Sequence, residues 1–134
     1  MTGELRQRVG QARVARLATV DARGRPHIVP ICFVLSGDVL YSAVDLKRKQ
    51  SLRLKRLDNI RANPAVAVLV DHYEDDWSRL WWVRLRGRGR VLEAGEERER
   101  ALALLTDKYP QYRPQPPVGA VIAIALDDWL EWHA

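Results

Sequence analysis

Residues 41–61, YSAVDLKRKQSLRLKRLDNIR, decide how the rest of the chain is read. They spell the end of a strand, a short loop and one amphipathic helix. Leu46, Leu54, Leu57 and Ile60 fall on one side at helical spacing, and Lys and Arg fill the remainder. Asp45 is a good N-cap, and Asn63-Pro64 stops the helix. The first turn is unusual. Lys47, Arg48 and Lys49 put three cations where the helix dipole favours anions, at a cost of up to about 1 kcal/mol each. Free backbone N–H groups among three cations suit a bound anion, of which phosphate is the usual one. A solvated basic helix is the plain alternative on these residues alone.

Strand patterns surround this helix. Upstream, residues 2–13 form a short helix capped by Thr2, with Leu5, Val9 and Ala12 along one side. Residues 14–20, VARLATV, read as a strand, and DARGRP turns the chain. Residues 27–35, HIVPICFVL, read as a second strand with Pro30 in its middle. Pro cannot donate to a ladder, so Pro30 marks an edge, a bulge or an unpaired stretch where a flat ligand could take backbone hydrogen bonds. Ser36-Gly37-Asp38 is a tight turn into a third strand at 39–43. Downstream come a buried strand at 65–70, AVAVLV, an acidic loop at 71–76, DHYEDD, and a long strand at 81–92, WWVRLRGRGRVL.

Period 2 divides that long strand. Trp81, Val83, Leu85, Gly87, Gly89 and Val91 form a core face, on which the glycines allow a bend. Trp82, Arg84, Arg86, Arg88 and Arg90 form the other, either a solvated stripe or a surface for an extended polyanion. A helix follows at 95–109 with Glu96 and Glu97 in its first turn, the usual dipole polarity. The reversed polarity at Lys47 is therefore local. A Pro-rich linker at 109–117, a final strand at 118–126 and a docked turn in DDWLEWHA complete the chain. Two Trp three residues apart in that tail suit packing on a partner subunit. An antiparallel start, one crossover helix and further strands point to a mainly β barrel with attached helices, in one domain over residues 1–134. A doubly wound sheet would need regular βα alternation.

Composition narrows the function. Apolar residues at 47% and charged ones at 29% are an ordinary globular balance. No apolar run reaches a membrane span, and the N-terminus has no apolar signal core, so a cytoplasmic protein away from membranes is expected. One cysteine, Cys32, precludes an intramolecular disulfide and a Cys-rich metal site. It reads as a buried, inert thiol. The acidic loop matches no defensible ligand set and reads better as a rim that pairs with a basic helix. The net charge of +5 is compatible with nucleic acid, but no nucleic-acid motif is present. Arg outnumbers Lys 18 to 4, a bias that a GC-rich genome also produces. No GxGxxG, Walker loop or GxSxG is found, and the three His have no nucleophile at a convincing spacing. If the chain is an enzyme, a cofactor does the chemistry.

The order of elements then becomes recognisable. A helix, ARLATVDARGRPHIVPICF, a hairpin into LYSAVDLKRK, a helix ending at NIRANPAVAVLV, and WWVRLRGRGRV together resemble the pyridoxamine-5′-phosphate-oxidase-like split β-barrel family. The DxKxK turn and DHYEDDWSRLWWVR are similar to its small actinobacterial members described as probable F420-dependent enzymes. The resemblance implies a six-stranded antiparallel split barrel that forms a homodimer, with FMN or F420 bound at the subunit interface. It implies that Val29, Pro30, Ile31 and Cys32 lie along the cofactor ring and offer it backbone groups. It places Tyr41 and Ser42 near the phosphate, Lys47, Arg48 and Lys49 on the phosphate, and Trp82 against the ring. The oxidases carry Arg where this chain has Val29, which argues against pyridoxamine-phosphate oxidation itself. F420 is the longer polyanion, so the cationic turn and spare Arg suit it better than FMN. The expected activity is hydride transfer from reduced F420 to a small unsaturated acceptor, with an FMN-dependent oxidoreductase or a non-enzymatic cofactor carrier as alternatives. A nucleic-acid-binding barrel using Arg84 to Arg90 is the rival of a different class.

Overall fold

Turn chemistry sets the first hairpin. In the computed structural model, which describes residues 1–44 and 50–134, the Asp21 carboxylate accepts from the Arg23 and Arg25 backbone N–H groups at 2.9 Å and from Arg25 Nε at 2.9 Å. Gly24 takes φ 83°, a conformation that favours glycine. The hairpin joins β1 (Ala15–Val20) to β2 (Pro26–Ile31). β3 (Val34–Ser36), β4 (Val39–Ala43), β5 (Ala65–His72), β6 (Trp81–Leu92) and β7 (Val121–His133) follow, with helices α1 (Gly3–Gln11), α2 (Gln50–Ala62) and α3 (Glu96–Lys108). The turn Asp45-Leu46-Lys47-Arg48-Lys49 lies outside the described residues, as do the side chains of residues 50–54.

All described strands form one antiparallel sheet in the order β2-β1-β5-β6-β7-β4-β3. Its two edges, β2 and β3, are separated in the chain by Cys32 and Phe33 alone. A sheet whose opposite edges are so tethered must curl round on itself, and the result is a split β-barrel, mainly β with attached helices. The strand expected at residues 27–35 is thus broken in two. Its first half pairs with β1 and its second with β4. Counted as one interrupted strand, β2 and β3 complete a six-stranded barrel; counted by hydrogen bonding they make seven strands. Pro30 leaves β2 without one donor and so favours its edge position.

The core lies inside the curl. Leu17, Phe33, Leu40, Val68, Val70, Leu85, Ile122 and Ile124 fill it, and Leu5 and Val9 of α1 with Leu57 and Ile60 of α2 cover it. Thr2 caps α1, its Oγ1 accepting from Leu5 N at 3.1 Å. Asn59 Nδ2 donates to Thr19 Oγ1 at 3.1 Å, a buried polar pair that pins α2 to β1. A second cluster lies between α3 and the outer side of β4 and β7: Tyr41, Ala43, Ala101, Leu105, Tyr109, Val121 and Ala123.

The bend expected at the β6 glycines is present. Register shifts between Arg86 and Gly87, and a Cβ on Gly87 would lie 2.2 Å from the Ala125 carbonyl oxygen. The C-terminal tail departs from its expected form. It is no docked turn: β7 begins at Val121, later than expected, and runs to His133, paired with β6 throughout. The tail carries β-formers at alternate positions, Trp and Leu among acidic residues, and finds in the long β6 a ladder to extend. Among the described residues, the acidic loop pairs with β1 and with the short turn that follows it. Asp71 meets Arg16 of β1 at 3.2 Å, and Glu74 meets Arg79 at 3.4 Å.

Candidate functional site

The break at Cys32-Phe33 organises the site. Among the described strands β2 is hydrogen-bonded to β1 alone, so its other edge, along Val29, Pro30 and Ile31, has no described strand beside it. The β3–β4 hairpin pairs Val34 with Tyr41, and that count continued brings Ile31 level with Val44. Both residues are buried in the same core. The open edge of β2 therefore faces the point where the chain leaves β4 for residues 45–49. Val29 and Ile31 turn their side chains inward, and Pro30, which has no N–H to donate, suits the edge that no described strand covers. Cys32 lies in the break itself, half-buried and outside any strand, which corrects its expected place in an apolar strand. It packs against the cluster beneath α3 that contains Tyr41.

Two consecutive residues at the end of α3 repair the break. The Tyr109 hydroxyl accepts from Phe33 N at 3.0 Å and donates towards Arg13 O at 3.0 Å, with Phe33 O also within 3.1 Å. Lys108 Nζ donates to Phe33 O at 2.8 Å and lies 3.9 Å from the centre of the Phe33 ring. These side chains satisfy backbone groups that the ladder no longer serves. Burial, then the neighbouring Arg13 charge, lowers the Lys108 ammonium to about 8, and burial raises the Tyr109 phenol. Neither residue was singled out from the sequence. The only available signal was a Tyr at the helix end before the Pro-rich linker, which forms a short 3-10 turn at Pro110–Tyr112.

Tyr41 and Ser42 occupy the end of β4. Ser42 is buried on the side of the sheet that carries Leu40 and Val44. Tyr41 points the other way, under α3, and its hydroxyl donates to Glu97 Oε2 at 2.7 Å. Arg90 grips the same carboxylate with two bonds, at 3.0 and 2.9 Å. Those Arg90 bonds, with that of Tyr41, hold the Glu97 carboxyl down to about 2, while burial and the Glu97 carboxylate raise the Tyr41 phenol. Glu97, read from the sequence only as a dipole partner of α3, also ties that helix to β4 and β6.

Trp82 is not beside Tyr41. Cross-strand pairing puts Tyr41 level with Ala123 and Arg90, whereas Trp82 lies eight residues earlier on β6. At 3.3 Å per residue that is about 26 Å along the strand. Trp82 instead stacks on Trp132, with centroids 6.5 Å apart and planes at 15°. Its face also carries Arg84, Leu130 and, three strands from β6, Ile28. Leu130 is 47% exposed, Trp132 44% and Ile28 67%. Arg84 Nε is buried without a hydrogen-bond partner. The described members of the expected site thus form two groups within one chain, Val29 to Cys32 with Tyr41 and Ser42, and Trp82 alone on a distant face, while Lys47, Arg48 and Lys49 lie outside the described residues.

The three His have neighbours of their own. His27 Nε2 is 3.7 Å from Asp21, His72 bonds Glu74 and stacks on Trp81, and His133 Nδ1 is 3.4 Å from Ala134 O. No group of three metal-binding side chains is found among the described residues, and no described helix is long and apolar enough to cross a membrane.

Known proteins of the same shape put the geometry in context. The conserved hypothetical protein Rv2991 from Mycobacterium tuberculosis superposes with a TM-score of 0.77 at 19% identity, over 99% of this chain and 85% of that one. The heme storage protein HutZ from Vibrio cholerae gives 0.72 at 17% identity, over 97% and 89%. An F420 reductase gives 0.68 at 22% identity, over 92% and 94%. At such identities the likeness concerns the fold. No curated protein matches the chain by sequence. The pyridoxamine 5′-phosphate oxidase family model matches residues 1–133, and with the split barrel it shows that the chain belongs to that family.

Proposed function

We propose that this chain works as a homodimer that binds F420, with FMN as the alternative cofactor, and reduces a small unsaturated acceptor. The observation that carries this reading is the open edge of β2 level with Val44, where the chain enters the basic turn. An edge of unpaired backbone suits a flat ring with carbonyl groups, and three cations one step further suit its phosphate. That donor set fits a ring-and-phosphate cofactor. F420, bound in its reduced form, supplies a hydride.

The chain's own residues do the holding. The edge of β2 from Val29 to Cys32 orients the ring, and Pro30 keeps the strand end from pairing elsewhere. Lys47, Arg48 and Lys49 anchor the phosphate, with Tyr41 and Ser42 at the strand end that leads to them. Trp82 is too far from Tyr41 to serve the same site within one copy, so it serves the site of a second copy. The face it shares with Trp132, Leu130 and Arg84 is the dimer surface in this proposal. Stacked, half-exposed indoles and a buried, unpartnered guanidinium nitrogen support that assignment. A solved F420 reductase of the same fold supports F420 among the family's cofactors.

The test is a titration of the purified protein with F420, FMN and hemin, followed by absorbance and fluorescence. F420 is expected to bind more tightly than FMN and to lose affinity in the Lys47→Ala/Lys49→Ala variant with the fold intact by circular dichroism. Equal or tighter FMN binding moves the assignment to FMN. A heme spectrum with no binding of either ring cofactor overturns the proposal, as does unchanged F420 affinity in the double variant. Oxidation of reduced F420 by a quinone or enone separates an enzyme from a carrier.

A further inference from the structure

A cavity of about 510 Å³ lies beside the strand break, lined by Arg13, Cys32, Tyr109, Pro110, Gln111 and Tyr112. Nothing in the proposed activity uses it. Arg13 lies two residues before the strand that pairs with β2, so the cavity lies on the β1 side of the break. The open edge of β2 is on the other side. Cys32 lies between the two.

Its lining has a distinct chemistry. The Tyr109 and Tyr112 rings are tilted at 59° with centroids 5.7 Å apart, and Pro110 adds an apolar surface. Such walls accept a flat ring by edge and face contacts. The charge at the cavity is positive. Arg13 is exposed, its guanidinium carbon lies 5.7 Å from the Tyr109 ring, and Nη1 donates to Lys108 O at 2.8 Å. Its remaining donors are directed to no acceptor among the described residues. No carboxylate lines the cavity. The Gln111 amide offers both donor and acceptor at the mouth. A volume of this size is ordinary for a small-molecule site.

We propose that this cavity binds a planar aromatic carboxylate, its ring against Tyr109 and Tyr112 and its carboxylate on Arg13, at a site separate from the cofactor edge. A ligand there covers the Cys32 thiol. The site rests on the cavity and its lining, and it stands or falls independently of the F420 assignment.

The test uses the intact chain without cofactor, with 2-naphthoate as probe and 2-naphthamide as its neutral counterpart. In amide-resolved NMR spectra, 2-naphthoate is expected to shift the Cys32, Gln111 and Tyr112 signals with a Kd of roughly 0.1–1 mM, the range of a fragment-sized ligand. 2-Naphthamide should bind about tenfold more weakly, the difference being one charge-assisted contact. Because Cys32 is the only cysteine, alkylation by iodoacetamide reports the same occupancy by mass. 2-Naphthoate should slow it several-fold, and Arg13→Gln should abolish its advantage over the amide. If Arg13→Gln perturbs the fold, Gln111→Trp, which fills the mouth from an exposed position, should block both probes. Equal protection by the two probes overturns the proposal, as do shifts confined to Trp82 and Trp132, or no shift at about 5 mM probe.

Discussion

β6 is finished differently at its two ends. At the C-terminal end, Arg90 is neutralised by Glu97, Glu97 also accepts from Tyr41, and α3 closes over the sheet. At the N-terminal end, Arg84 has a buried nitrogen without a partner, and Trp82 stacks on the half-exposed Trp132. The same strand carries Arg at every second position over both regions. What separates them is whether the chain itself supplies the cover. The difference teaches that the stripe of Arg is no uniform solvated face. At its later end Arg90 is paired by the fold, and at its earlier end Arg84 meets no carboxylate among the described residues.

The largest test acts where the two ends meet. The register shift at Gly87 lets the outer face change direction between Arg86 and Arg88, and Ala125 O occupies the space that a side chain would need. Gly87→Val should destabilise the fold by about 3 kcal/mol, because the obstacle is backbone and cannot rotate away. Urea unfolding followed by far-UV circular dichroism measures it. A loss no greater than that of a surface substitution would show that the bulge does not divide the strand. Next in size is the uncovered end. In the proposed dimer, Trp132→Ala removes a central aromatic and should weaken self-association by about 2 kcal/mol, some thirtyfold in the dimer constant, by sedimentation equilibrium. A wild-type chain that is already monomeric at micromolar concentration would break the comparison, since the N-terminal end would then be an ordinary surface.

Much of this was legible in the residues, and the reason differs from one to the next. Alternation in WWVRLRGRGRVL separates core from surface because a strand's side chains have a period of 2. Thr2, Asp21 and Pro64 announce turns and caps through local chemistry, and local chemistry needs no knowledge of the fold. The break at Cys32-Phe33 was hidden. HIVPICFVL is β-rich throughout, and only pairing with two different partners, β1 and then β4, splits it. Tyr109 was hidden for the same reason, since its three partners lie 76 and 96 residues away in the chain. The extended β7 was missed because EWHA has weak strand propensity by itself and gains its form from β6. At the candidate site Cys32 packs against the cluster that holds Tyr41, and Trp82 lies eight residues along β6 from the position level with Tyr41.

The covered end offers a smaller test of how the chain supplies its own cover. Tyr109→Phe keeps the ring in the second cluster and removes one oxygen. Phe33 N then loses its acceptor in a buried place, and Arg13 O loses its donor. Leaving such a group unsatisfied costs about 1–2 kcal/mol, so the midpoint of urea unfolding should fall while the slope stays the same. The lost bond should also free the break, and amide exchange at Phe33 should quicken more than exchange in β6. An unchanged midpoint would mean that Lys108 alone repairs the break.

The smallest effect belongs to the Arg90–Glu97–Tyr41 contact, and its sign follows from the carboxyl. Glu97 is held at about 2 against an ordinary value of 4.5, so the folded state favours the charged form. Stability from this contact is fully present above pH 4.5 and is lost as the pH falls towards 2. The Arg90 side chain is half exposed and water screens the pair, which limits the contribution to about 1 kcal/mol or less. Glu97→Gln keeps the shape and removes the titration. Between pH 4.5 and 2 the wild type should therefore lose more stability than the variant, and near pH 7 it should be the more stable of the two. Arg84→Gln should leave that acid limb unchanged, because Arg84 has no carboxylate partner among the described residues. If the two variants instead respond alike to acid, the two ends of β6 do not differ in how their charges are met, and the uncovered end loses its claim to a partner.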